Sequence, residues 1–376
     1  MLNIFRKIAT VLMGSVLLCT FAGCSNGVSA GNKTINQNNP KSVAEGFIDC
    51  LVNANYSGAK SLLYIQGNSD YFTEKDFAWY VPRSSYAETE NFREQKVSLQ
   101  GKVGTKTADA ATCVVTASYD KDKTKEFRVN LKMDNENKWY VFDDSFYIKE
   151  FYVVTPGGNT KVMLDGKDIT AILNNKNYGT QGLRKIYTVP NIGKSEKKIS
   201  VVAEKTFGTK EFAVNPTSNS ADAPFVCQVA VQDEGVYQRI ASLWNNCYKD
   251  YVAGKNAGDF IKYVSPSADS NVATVIYSGL SNINGQLSGK RSNFICSNVR
   301  PCSDRDYQSY YLTDSIAYIA FNYNMTWQYK LSSFQNTENM QNYAEIVVDL
   351  SENECRVYDA KDRFFSWYNQ YTNKTK

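Results

Sequence analysis

PKSVAEGFIDCLVNANYSGAKSLLYI, residues 40–65, decides how this chain folds. Val43, Phe47, Ile48 and Leu51 recur at three- and four-residue spacing, which places them on one face of a helix. Asn55-Tyr56-Ser57-Gly58 breaks that period, and residues 59–65 resume it as a second short helix. Thr73-Glu74-Lys75-Asp76 then has the composition of a helix cap. It predicts a third helix that carries Phe77 and Tyr80 and stops near Pro82. Beyond it the period changes from helical to alternating. Residues 96–103, 111–119, 126–133 and 138–142 predict strands, joined by polar turns at Asp120-Lys121-Asp122-Lys123 and Asp134-Asn135-Glu136-Asn137. Three helices followed by a four-stranded meander make the fold class α+β.

Working outward, residues 151–228 change character. Pro156-Gly157-Gly158-Asn159 is a turn, and 161–164 is a short strand ending at the hairpin signal Asp165-Gly166. Further strands fall at 186–189, 199–203 and 211–214. No long helical period interrupts them, so the segment predicts a small all-β module of sandwich type. Gly157-Gly158 has no following helix and no placed Lys-Ser/Thr, so it is a structural turn, not a phosphate loop. From residue 229 the first pattern returns. Val236, Ile240, Leu243, Trp244, Cys247 and Tyr251 mark a long amphipathic helix, broken at Gly254-Lys255-Asn256-Ala257-Gly258. Helical stretches at 259–264 and 267–280 precede strands at 294–300, 315–329, 343–350 and 354–358. Asn256-Ala257-Gly258-Asp259-Phe260 stands where Asn55-Tyr56-Ser57-Gly58-Ala59 stands in the first segment, an internal duplication of architecture. The expected domains are 41–150, 151–228 and 229–376.

The order of elements in 40–150 resembles the NTF2-like fold, a curved antiparallel sheet wrapped around helices. The likeness is carried by Pro40-Lys41-Ser42-Val43-Ala44-Glu45-Gly46-Phe47-Ile48 and Ala59-Lys60-Ser61-Leu62-Leu63. Asn137-Lys138-Trp139-Tyr140-Val141 also resembles the closing strand of many exported family members. Two NTF2-like domains separated by a small β-module resemble the extracellular part of the teicoplanin-resistance-associated (TcaA-like) membrane proteins. Those carry a cytoplasmic zinc ribbon and a transmembrane helix, and this sequence shows neither. The resemblance implies a cell-envelope role in sensing or organising the wall.

The N-terminus has its own signal. Arg6 and Lys7 precede an apolar run over 8–22, and Ala22-Gly23 leads into Cys24. A spanning helix needs about 20 apolar residues, so this shorter run reads as a cleaved signal peptide, 1–23. It resembles a bacterial lipoprotein signal, which implies cleavage between Gly23 and Cys24 and acylation (palmitate-type) of Cys24. Phe21 stands where an aliphatic residue is usual, which leaves open ordinary cleavage after Ala30 and a secreted product. Residues 24–40, polar and without period, predict a flexible tether. The expected location is the extracytoplasmic face of the cell membrane, lipid-anchored.

Composition narrows the chemistry. Forty-two Lys and Arg against 38 Asp and Glu, with no dense basic block, argue against nucleic acid as a partner. The absence of histidine removes His-dependent triads, Cys-His dyads and His zinc sites. No cofactor and no metal site are expected. Of nine cysteines, setting aside Cys19 and Cys24 leaves seven, with no C-x-x-C pair. Cys50, Cys113 and Cys247 fall on apolar faces as buried thiols, while the close pair Cys296 and Cys302 leaves a disulfide open.

The clearest strand is 319–330, where Ile319, Phe321, Tyr323, Met325, Trp327 and Tyr329 alternate with Asn322, Asn324, Thr326, Gln328 and Lys330. The aromatic face is either core against the Trp244 helix or a ligand cavity, with Tyr323, Trp327 and Tyr329 as candidate binding residues. The amide-rich face is the alternative, a flat binding surface. Tyr307, Tyr310 and Tyr311 cluster beside Asp304 and Asp306, which reads first as a solvated strand entry, with glycan or protein contact as the alternative. Asp143-Asp144 and Asp120/Asp122 read as turn polarity, not as catalytic pairs. The expected function is a membrane-anchored binding, scaffolding or sensing module, not an enzyme. Membrane lipid is expected to contact it through Cys24, and a wall glycan or envelope protein is the other partner. A small-ligand sensor and a His-free Asp/Tyr enzyme are the alternatives.

Overall fold

The computed structural model describes residues 27–30, 33–65, 71–120, 123–179, 182–215, 219–286, 291–302, 308–331 and 334–360. β1 (Gly27–Ala30) and β2 (Lys33–Asn36) pair antiparallel, so the stretch expected to be a tether carries strands at 27–30 and 33–36. The cause is apolar. Ile35 is buried and seats on the bare Cα of Gly46, and Gln37 O accepts from Trp139 N at 2.8 Å.

α1 (Pro40–Val52) is capped by the Asn39 side chain, with Pro40 in its first turn, where a missing N–H leaves no bond unmade. Val43, Phe47, Ile48 and Leu51 are fully buried, as their spacing requires. α2 (Tyr56–Ser61) follows, and then α3 (Glu74–Tyr80). β3 (Ser98–Lys106), β4 (Ala110–Asp120), β5 (Lys123–Met133) and β6 (Trp139–Val141) make an antiparallel sheet in that order. Cys113, Val115, Ala117, Phe127, Val129 and Val141 are its buried inward residues. Edge strands need protection from stray pairing. Here α1 supplies it: Gly101 N on β3 donates to Glu45 Oε1 at 2.6 Å.

The chain divides into two compact units, Met1–Ile65 with Phe77–Asp143, and Gln66–Asp76 with Asp144–Lys376. In the second unit, two four-stranded sheets form a β-layered part. β7 (Tyr147–Thr155) opens it ahead of the expected boundary at 151. β8 (Lys161–Leu164), β9 (Lys167–Asp168), β10 (Asn174–Tyr178), β11 (Arg184–Gly193), β12 (Lys197–Ala203), β13 (Gly208–Val214) and β14 (Phe225–Val226) complete it. The sheet orders are β10-β11-β7-β14 and β13-β12-β8-β9. One core joins them, with Phe151, Val153 and Val189 from the first and Val162, Ile199 and Val201 from the second.

The C-terminal part has α4 (Gly235–Val252), a 3-10 turn (Ala257–Tyr263) and α5 (Asn271–Gln286). β15 (Arg291–Pro301), β16 (Tyr310–Tyr311), β17 (Ile316–Leu331), β18 (Phe334–Asp349) and β19 (Arg356–Asp359) follow. The sheet order is β15-β17-β18-β19, with β16 on β17. Its local construction repeats that of the first unit. Asn55 accepts from Gly58 N and Asn256 from Gly258 N, each opening the second helical turn. Ala59 and Phe260, each four residues after its asparagine, are both fully buried. Leu63 then bridges Val141 in parallel, and Val264 bridges Val357 in the same way. Tyr64 N donates to Val141 O and Ser265 N to Val357 O, both at 2.8 Å. Even the edge lock recurs, because Asn245 of α4 bonds the backbone of Cys296 on β15. Among the described residues no helix is long and apolar enough to cross a membrane.

Candidate functional site

Gly23 and Cys24 lie outside the described residues. Tyr323 does not: it is 2% exposed, its ring 5.6 Å from Phe321, in one core with Trp244, Ile240 and Met325. Burial pushes its phenol well above the ordinary value. As folded, Tyr323 offers no open ring face to a ligand. Trp327 and Tyr329 pair in register with Glu338 and Asn336, and their side chains lie outside the described residues. All seven cysteines between Cys50 and Cys355 are free thiols, Cys296 and Cys302 included. Asp144 pairs with Lys149 at 3.1 Å on the surface, and among the described residues no three His, Cys, Asp or Glu converge as a metal set.

The opposite face of β17 carries a different constellation. Tyr318 lies opposite Val347, Ala320 opposite Glu345 and Asn322 opposite Tyr343, so Tyr318, Glu345 and Tyr343 share one face. Tyr343 Oη donates to Glu345 Oε1 at 2.7 Å. Burial first, and then the Glu345 charge and hydrogen bond, push the Tyr318 phenol up. Tyr310 on β16 lies opposite Tyr318, with ring centroids 5.2 Å apart.

Arg184 completes this patch. Its guanidinium lies 5.7 Å from the Tyr310 ring and 6.0 Å from that of Tyr178, its cross-strand partner. Nε and Nη2 are buried with no hydrogen-bond acceptor, and burial pulls the guanidinium below its usual basicity. Cation–π contact at such a site contributes about 0.5–2 kcal/mol, less than a paired carboxylate would offer a desolvated charge. Gly157 fixes the placement. A Cβ there would overlap Leu183 O, so only glycine lets the chain before Arg184 approach. Gly157 N also donates to Leu312 O at 3.0 Å, tying the turn to the strand that bears Tyr310. Leu183, Leu312, Ile316 and Val347 close the apolar base.

A second polar constellation is sealed. Asp76 is fully buried, and Lys197, on the first residue of β12, is 1% exposed. Asp76 Oδ2 accepts from Lys197 Nζ at 2.7 Å, Thr73 N at 2.6 Å and Thr73 Oγ1 at 2.9 Å. Oδ1 accepts from Ser195 N at 3.2 Å and from Ser195 Oγ. Burial raises the Asp76 pKa, but the bonds from Lys197, Ser195 and Thr73 outweigh it and hold the carboxyl below its usual range. The carboxylate fits because residue 193 is glycine, where a Cβ would collide with it. Thr73 and Asp76 are the cap residues expected from sequence. Their long-range partners carried no sequence signal, since Lys197 lies outside the strand expected at 199–203. A small cleft of about 140 Å³ lies elsewhere, among Asn159, Glu204, Lys205, Thr206, Asp314 and Ser351.

No protein family matches this sequence, and no curated protein does. Among solved structures the chain is similar to an "Ntf2 like protein involved in plasmid conjugation", at 10% identity. The match covers 81% of this chain and 93% of that one, with a TM-score of 0.18. Superposition that low carries no inference about activity. The fold itself is mixed helix and sheet.

Proposed function

We propose that this chain is an exported lipoprotein, held by an acylated Cys24 at the outer face of the cell membrane, and that its body is a binding or scaffolding module. On this proposal the body is two NTF2-like domains separated by the β-sandwich module, as in the extracellular part of teicoplanin-resistance-associated proteins. The partner is a wall glycan or an envelope protein.

The observation that carries the binding role is Arg184. A half-buried cation set between Tyr178 and Tyr310 is suited to an acidic or hydroxyl-rich partner. Tyr318, Tyr343 and Glu345 extend the same face with hydroxyl and carboxylate groups. The experiment is co-sedimentation of the purified chain with isolated cell-wall material and, separately, crosslinking to envelope proteins. Arg184→Ala should weaken capture at least several-fold while leaving the circular dichroism spectrum unchanged. Equal capture by Arg184→Ala and by wild type would refute the assignment of this face.

A further inference from the structure

The sealed pair Asp76 and Lys197 takes no part in the proposed binding face, and its geometry meets the requirements of a different chemistry. Lys197 Nζ lies 2.7 Å from Asp76 Oδ2, and a second carboxylate, Asp165 Oδ2, lies 3.6 Å from the same nitrogen. Lys197 and Asp76 are excluded from water, while Asp165 is 42% exposed and open to proton exchange with solvent. Ser195 N–H and Oγ–H point at Asp76 Oδ1, where negative charge would grow if the carboxyl carbon were attacked. The bare Cα of Gly193 packs against the back of the carboxyl group and limits its movement.

We propose that Lys197 and Asp76 condense to an intramolecular isopeptide bond, with Asp165 as the proton relay. The ammonium of Lys197 first gives a proton to Asp165. The nitrogen lone pair then forms the Nζ–Cγ bond, and charge collects on Oδ1, held by the Ser195 donors. The Cγ–Oδ2 bond breaks with its electron pair on oxygen. Oδ2 leaves as water, taking the proton relayed by Asp165 and one more from the nitrogen. One ammonium and one carboxylate become one amide and one water, with no oxidant, reductant or further reactant. Fixed contact replaces a bimolecular encounter, and well-oriented pairs of this kind reach effective concentrations of about 10⁵–10⁸ M. Exclusion of water protects the amide product from hydrolysis. The bond would join residues 121 positions apart and tie Asp76 covalently to β12.

The test is peptide mapping of the full chain, purified from cells and digested with trypsin under denaturing conditions. The expected product is a branched peptide joining residues 76–83 to 195–198, lighter by one water than the two linear peptides together. Lys197→Met removes it. Asp165→Asn slows its formation in freshly folded protein, with circular dichroism showing that this variant folds. Recovery of only the linear 76–83 peptide from folded wild-type protein would overturn the proposal, whatever the variants do.

Discussion

Asn245→Leu probes the lock between α4 and the edge of the C-terminal sheet. Asn245 Nδ2 donates to Cys296 O at 3.0 Å, and Cys296 N donates to Asn245 Oδ1 at 2.9 Å. One amide therefore serves both backbone groups of a residue that is only 3% exposed. β15 is the edge strand of its sheet, paired with β17 on one side only, so no neighbouring strand offers Cys296 a substitute partner on the side facing α4. Each bond contributes about 1 kcal/mol net, and an acceptor or donor left dry costs about 1–3 kcal/mol. Leucine fills the space and excludes water, so the expected loss is roughly 3–4 kcal/mol. Asn245→Ala admits water and should cost about 2 kcal/mol. Asn245→Asp keeps the acceptor and loses the donor, and should fall near 1 kcal/mol. Urea denaturation followed by far-ultraviolet circular dichroism gives the totals, and native-state hydrogen exchange at β15 locates them. A loss below about 0.5 kcal/mol for Asn245→Leu, or unchanged exchange at Cys296, would refute the edge-lock reasoning.

Asn55→Ala and Asn256→Ala each remove a cap and should cost about 1 kcal/mol, with the two losses additive because the sites share no partner. Burial pushes the thiols of Cys50, Cys227, Cys296 and Cys355 up to about 12. A thiol raised in the folded chain stabilises it fully below the unfolded value near 8.5, and that contribution is lost as pH climbs towards the folded value. Stability in denaturant titrations should therefore fall between about pH 8.5 and 12. Alkylation at neutral pH should label half-exposed Cys302 first among the seven and the buried thiols only on unfolding. Gly157→Ala should displace the Leu183 backbone and halve or abolish wall capture together with Arg184→Ala, read by the same sedimentation assay.

The local patterns were legible in sequence. The face made by Val43, Phe47, Ile48 and Leu51 is buried as its period requires, and the match between Asn55 and Asn256 reappears as two equivalent caps. Those features depend on neighbours within one or two turns, which periodicity records. Residues 27–36 read as a tether because their composition is polar, yet a single isoleucine at 35 finds Gly46 of α1 and holds the two strands. The aromatic strand at 319–330 was ambiguous, since alternation marks a face without saying whether that face is filled. Arg184 and Lys197 were invisible for a simpler reason. Each sits in a short basic run, Leu183-Arg184-Lys185 and Glu196-Lys197-Lys198, that looks solvated until partners far along the chain close over it.

The tether to the membrane is the claim on which the proposed role stands, and fractionation of cells expressing Cys24→Ala tests it most directly. Wild-type chain should remain with membranes through high-salt washing and partition into the detergent phase, because two acyl chains anchor where one is marginal. Cys24→Ala should appear in the soluble extracytoplasmic fraction with its folded body intact. Unchanged membrane retention of Cys24→Ala would contradict the lipoprotein assignment.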